Sequence, residues 1–157
     1  MLPGKQCPGL PIFKEKRMVR KATKEDVLLI ADLMAALWPH HTAAEMAEEL
    51  TNAMEDDETA FFVAGKIGFA QCTLRHDYVE GTESSPVGYL EGIYVAESGR
   101  KQGIARELLQ ACENWAKEKG CREFASDCEL SNTQSLNFHL NVGFEEANRI
   151  ICFTKKL

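Results

Sequence analysis

The chain has 157 residues, 45% of them hydrophobic and 27% charged, with 11 Gly and 5 Pro, the composition of one compact domain and not of a collagen, a disordered segment or a multidomain protein. Its longest apolar stretches, such as Val27-Leu28-Leu29-Ile30-Ala31, are broken by charge well short of the ~18–20 residues that a bilayer span needs, so no membrane association and a cytoplasmic location are expected. The net charge is −6, and residues 1–17 carry +3, which leaves −9 on residues 18–157; that balance disfavours nucleic acid and suits a cationic small molecule, or merely keeps the surface soluble.

Residues 1–17 hold Pro3, Pro8 and Pro11 beside Gly4 and Gly9 and read as a flexible arm or extension, with a single domain over 18–157. Residues 18–23 alternate weakly as an edge strand. Thr23 caps a first helix with Asp26 in its first turn, and that helix ends before Pro39. Thr42 followed three residues later by Glu45 is a capping box for a second helix through about Met54. Thr59 to Ala64 and Ile67 to Leu74 are β-rich runs separated by Gly65-Lys66, an antiparallel hairpin. A polar loop from His76 to Pro86 leads into an apolar strand, Tyr89 to Val95, that carries one carboxylate, Glu91, and one glycine, Gly92.

The chain then turns through Ser98-Gly99 into a long amphipathic helix, with Ile104, Leu108, Cys112 and Trp115 at helical spacing and Gly120 as its stop. A short strand to Ser126, a helix from near Asn132 and two closing strands, around residues 144–149 and 150–154, complete the chain. The order β-α-α-β-β-β-α-β-α-β-β predicts a mixed α/β (α+β) fold, a mostly antiparallel mixed sheet flanked by about four helices. Six cysteines (Cys7, Cys72, Cys112, Cys121, Cys128, Cys152) contain no Cys-x-x-Cys pair, so reduced core thiols are expected and no metal.

Two features carry chemistry. Arg100-Lys101-Gln102-Gly103-Ile104-Ala105 opens the long helix. A glycine turn there presents free N–H groups and the positive end of the helix dipole to an anion such as a pyrophosphate, or is a plain helix start. Glu91 in an apolar strand needs a partner or a cleft, and Asp127 follows the next strand. The pair faces one pocket and attracts a polyamine, or else Glu91 pairs with Arg75 and Asp127 serves a turn.

The segment Arg100 to Ala105 resembles the Q/R-x-x-G-x-G/A acetyl-CoA signature of the GNAT superfamily of N-acetyltransferases, and the element order is similar across residues 18–157. Leu37-Trp38-Pro39, Arg75-His76-Asp77-Tyr78-Val79, Ser84-Ser85-Pro86-Val87, Leu90-Glu91-Gly92-Ile93, Gly120-Cys121-Arg122-Glu123 and Ala125-Ser126-Asp127 resemble, more narrowly, aminoglycoside 6'-N-acetyltransferases. The resemblance implies that acetyl-CoA lies along Ile93, Tyr94 and Val95, with its pyrophosphate held by Lys101, Gln102, Gly103, Ile104, Ala105 and Arg106 and a second contact at Asn132. It also implies that Trp38, Tyr78, Glu91 and Asp127 touch a cationic aminoglycoside.

Asn148 falls where relatives can carry an acid, and His139 stands where many members place a tyrosine as general acid. The implied reaction is direct attack of an uncharged amine on the thioester in a ternary complex, with Glu91 as proton acceptor through water and His139 as proton donor. A homodimer to which the C-terminal strands contribute is implied as well. The alternatives are an acetyltransferase for another cationic amine, such as a polyamine or a protein N-terminus, and a non-catalytic acetyl-CoA-binding module.

Overall fold

The computed structural model describes residues 19–157; the arm over residues 1–17 and Met18 lie outside the described residues. The elements are β1 (Val19–Lys21), a 3-10 turn (Lys24–Asp26), α1 (Val27–Leu37), α2 (Ala43–Ala53), β2 (Thr59–Ala64), β3 (Gly68–Arg75), β4 (Val87–Val95), a second 3-10 turn (Glu97–Gly99), α3 (Ile104–Glu118), β5 (Phe124–Ser126) and α4 (Thr133–Val142).

Both predicted caps form. The Asp26 carboxylate accepts from the Thr23 N–H at 2.8 Å and is gripped by both terminal nitrogens of Arg20 at 2.7 Å, which holds it well below the usual carboxylate range, at about 2. Thr42 and Glu45 exchange backbone and side-chain bonds at 2.8 and 3.3 Å, so α2 starts where the sequence says.

The sheet runs β1-β2-β3-β4-β5, antiparallel throughout except for the β4–β5 pair, which is parallel. Its alternation divides the core. Ala60, Phe62, Ala64, Ala70, Cys72 and Leu90 pack under Leu108, Cys112 and Trp115 of α3. On the other face Phe61, Val63 and Phe69 pack against Ile30 and Met34 of α1 and Met46 and Leu50 of α2. β2 and the first halves of β3 and β4 are buried on both sides, the burial pattern expected of central strands covered by helices, while the edge strand β1 is largely exposed.

Small differences from expectation concern boundaries: β4 begins at Val87, and α3 begins at Ile104 behind the second 3-10 turn. One difference is larger. The two closing strands expected around residues 144–149 and 150–154 do not form, because residues 144–157 contain neither helix nor strand. A strand needs a ladder partner, and none of the five strands pairs with this segment. Ile150, Ile151 and Phe153 accordingly stand exposed.

Candidate active site

The site is built around a defect in the sheet. Between β3 and β4, Cys72 lies opposite Leu90 while Gln71 lies opposite Gly92, so Glu91 is the extra residue of a β-bulge. Leu90 keeps its place in the α3-side core, and the bulge turns Glu91 and Gly92 together toward α1 and α2. The Gly92 position is filled from outside the strand: a Cβ there would stand 2.7 Å from the indole of Trp38. The close approach that a strand glycine signals is thus made by a side chain of the same molecule. Trp38 ends α1 and meets Phe69 edge-on at 6.4 Å.

Trp38 and Glu91 line one cavity of about 370 Å³ with His41, Glu49 and Gln71, over a floor of Met34, Met46, Leu50 and Phe61. The Glu91 carboxylate is held at both oxygens. Thr73 Oγ1 donates to Oε1 at 2.6 Å, and Arg75 donates to Oε1 at 3.0 Å and to Oε2 at 3.1 Å. The same guanidinium lies 3.4 Å above the centroid of the Tyr89 ring, and the Tyr89 hydroxyl donates to Asp127. Burial, and then the Asp127 carboxylate, push the Tyr89 hydroxyl far up, so it stays a donor. The two predicted carboxylates are therefore joined through Arg75 and Tyr89, and the ion pair to Arg75 that the sequence left open is formed. Thr73, Gln71 and Glu49 were not expected in the site.

A second opening lies beside the bulge. The parallel β4–β5 ladder ends at Leu90 opposite Ser126, while β4 continues to Val95. Ile93, Tyr94 and Val95, all half-buried, thus pair with β3 alone and have no ladder partner on the β5 side. On the α3 side of this fork, His139 of α4 sits with Nε2 2.9 Å from Ser126 Oγ and Nδ1 2.7 Å from the Ser135 carbonyl. Further along, Lys101 has φ +59° and Gly103, the residue before α3, has φ +80° with open space where a Cβ would go. Left-handed residues let neighbouring N–H groups converge on an anion, and the first amides of α3 lack a carbonyl one turn back. Arg106 and Arg100 are partly engaged, with the Asn141 carbonyl at 2.9 Å and the Val95 carbonyl at 3.1 Å. An unpaired strand edge leading to an anion-receptive turn fits a carrier with a peptide-like arm and a diphosphate.

Three predicted positions behave differently. Asn132 caps α4, accepting from the Ser135 N–H at 3.0 Å. Tyr78 is 79% exposed on the loop before β4 and donates to Glu80 at 3.2 Å. Asn148 lies exposed in the C-terminal segment, where its side chain accepts from the Arg149 N–H. The structure does not bring Tyr78, Asn148 or Asp127 to the cavity lining; Asp127 reaches Glu91 only through Tyr89 and Arg75. Among the described residues no group of three or more His, Cys, Asp or Glu is placed to hold a metal ion, and no helix is long and apolar enough to cross a membrane.

The model of the acetyltransferase (GNAT) family matches residues 27–144. The chain is 44% identical over 144 residues to an aminoglycoside N(6')-acetyltransferase type 1 of Stenotrophomonas maltophilia, covering 88% of this chain and 93% of that one. It is 39% identical over 142 residues to the protein of that name from Salmonella enteritidis, covering 88% and 98%. Among solved structures, AAC(6')-Iy bound to the bisubstrate analogue CoA-S-monomethyl-acetylneamine superposes with a TM-score of 0.84 at 39% identity, over 89% of this chain and 98% of that one. AAC(6')-Iy in complex with CoA superposes with a TM-score of 0.85, over 89% and 95%.

Proposed function

The chain belongs to the GNAT acetyltransferase family, and from that premise we propose that it moves the acetyl group of acetyl-CoA onto the 6'-amine of an aminoglycoside, the reaction its relatives are named for. The observation that carries this reading is the bulge: it sets a carboxylate at the junction between an acidic-rimmed cavity and an unpaired strand edge. Acetylation removes a positive charge from a polycationic drug, and resistance is the consequence.

Acetyl-CoA supplies the acetyl group as a thioester already activated toward amines. Residues Lys101 to Arg106 hold its diphosphate, and the backbone of Ile93, Tyr94 and Val95 aligns its arm, with Asn132 at the start of α4. Trp38 offers an aromatic face to a sugar ring and an ammonium group. Asp127, linked to Glu91 through Tyr89 and Arg75, orients the acceptor, while Tyr78 and Asn148, outside the cavity lining, contact only those parts of the acceptor that extend beyond it. An amine is mostly protonated at neutral pH, so a proton must leave before it reacts. Glu91 takes that proton, through water, at Oε2, which accepts from Arg75 alone, whereas Oε1 accepts from both Thr73 and Arg75. His139 serves as the acid on the other side of the fork.

The exposed free thiol of Cys152 suits a reducing compartment, and we place the enzyme in the cytoplasm as a homodimer. The test is release of CoA thiol with kanamycin or tobramycin, compared with a polyamine and a peptide N-terminus. Wild-type turnover should be confined to the aminoglycosides, and Glu91→Gln should lower kcat by roughly 10² or more with acetyl-CoA affinity unchanged. Tight acetyl-CoA binding with no turnover would make the chain a binding module, and full turnover in Glu91→Gln would remove Glu91 as the base.

A further inference from the structure

We propose that Arg75 is a resident counter-ion of the acceptor site: it holds Glu91 in the free enzyme, yields it to an acceptor that brings several ammonium groups, and thereby discriminates against monoamines. This rests on the reading of Glu91 as an acceptor-site carboxylate.

The guanidinium of Arg75 is where a substrate cation has to go. All of its hydrogen bonds among the described residues end on Glu91, and its remaining contact is the face of Tyr89. Arg75 is also the last residue of β3, with the polar loop following it, and its side chain is 42% exposed while that of Glu91 is 27% exposed. An ion pair this accessible to water is weak enough to exchange, and swinging the side chain outward gives up only its contact with the face of Tyr89. The two other carboxylates that face the same region are differently placed. Asp127 accepts from the neutral Tyr89 hydroxyl, and Glu49 stands on the cavity rim; among the described residues neither has a cationic partner.

The consequence is a threshold in charge. A monoamine that enters alone trades one cation for another at Glu91 and forfeits the two-point grip of the guanidinium, so it gains almost nothing. A polycation that displaces Arg75 with one ammonium reaches Asp127 or Glu49 with its others. Those second contacts form at high effective concentration, so its affinity rises well beyond that of any single ammonium. Arginine suits this role because it forks onto a carboxylate and stacks on an aromatic ring, neither of which lysine does as well.

The experiment compares wild type, Arg75→Gln and Arg75→Lys with two acceptors: tobramycin, and a methyl 6-amino-6-deoxyhexoside that carries one amine. The kcat/KM for each is measured beside calorimetric binding of each acceptor to the CoA-loaded enzyme. Arg75→Gln removes the same competitor for both acceptors, so binding of the monoamine and of tobramycin should each tighten by about 10-fold or more, which brings the monoamine from almost no binding into the measurable range, with kcat/KM rising chiefly through KM. Arg75→Lys should fall between the two. Weaker binding of both acceptors, or no change in either, would overturn the proposal and leave Arg75 as a brace for Glu91. Absence of wild-type turnover with tobramycin would instead count against the aminoglycoside reading, and the monoamine binding comparison would still decide the role of Arg75.

Discussion

His139 has the most fully specified surroundings of any titratable side chain at the fork. A backbone carbonyl only accepts, so the contact of Nδ1 with the Ser135 carbonyl at 2.7 Å requires the proton on Nδ1. Nε2 then accepts from Ser126 when the ring is neutral. When the ring is protonated, Nε2–H donates to Ser126 Oγ, and the single Ser126 proton is released to the Leu90 carbonyl at 3.2 Å. Protonation of His139 and the orientation of the Ser126 hydroxyl are therefore one event, located where β4 and β5 part. His139 also packs edge-on against Phe138 and Phe144, at 5.6 and 5.1 Å, so a purely structural role is a fair rival. His139→Phe separates the two, because phenylalanine keeps the aromatic packing and removes the proton. With chemistry rate-limiting, kcat should fall by roughly 10² in His139→Phe and by less in Ser126→Ala, with acetyl-CoA dissociation constants unchanged in both. If kcat in both variants matches wild type, the departing thiolate needs no acid, which a reference thiol pKa of ~8.5 would permit.

Among the elements, the β3–β4 pair matters most, and it shows what could be read in advance. Helix starts at Thr23 and Thr42 and the turn before α3 were legible because capping and glycine chemistry are local. Glu91 stood out as a charge in an apolar run. Arg75 could be named as its partner; Thr73 and Tyr89 could not, because they join the Glu91–Arg75 pair only through the cross-strand register, and a one-residue bulge resets that register without a sequence mark beyond Gly92. Period-two reading does put Thr73 with Arg75 and Tyr89 with Glu91; what it lacks is which pair meets which. Glu49 was hidden for a different reason: it lies on the polar face of an ordinary amphipathic helix, and only the tertiary position of α2 makes it a rim residue. The bulge yields its own prediction. In Gly92→Ala the new Cβ meets Trp38 at 2.7 Å, so either the indole or the bulge must move. Thermal unfolding should show a loss of about 1–3 kcal/mol, and KM for the aminoglycoside should rise more than KM for acetyl-CoA. Equal effects on both constants would mean that Trp38 does not shape the acceptor side.

At the scale of the molecule, the sheet explains the core but not the C-terminal segment. Residues 144–157 leave Ile150 at 69%, Ile151 at 80% and Phe153 at 87% exposure, an apolar cluster that a chain of net charge −6 has no solubility reason to display. The segment does touch its own chain, for a Cβ at Gly81 would meet Ala147 at 2.5 Å, yet the apolar side chains beyond Ala147 stay exposed. Burying three such side chains is worth roughly 1.5–3 kcal/mol each, enough to support association if a second copy covers them. The strand pattern read in residues 150–154 then describes the assembly and not the single chain: the strand lacks its partner here, and β5 ends the sheet after only three residues. Mass measured by sedimentation across a range of concentrations should give a dimer for the full chain. Ile151→Lys and Phe153→Glu should shift it toward monomer while leaving acetyl-CoA binding intact, because both side chains are exposed and outside the core. A full chain that stays monomeric at every concentration would assign these apolar residues to another partner, and a dimer that survives both substitutions would move the interface away from the tail.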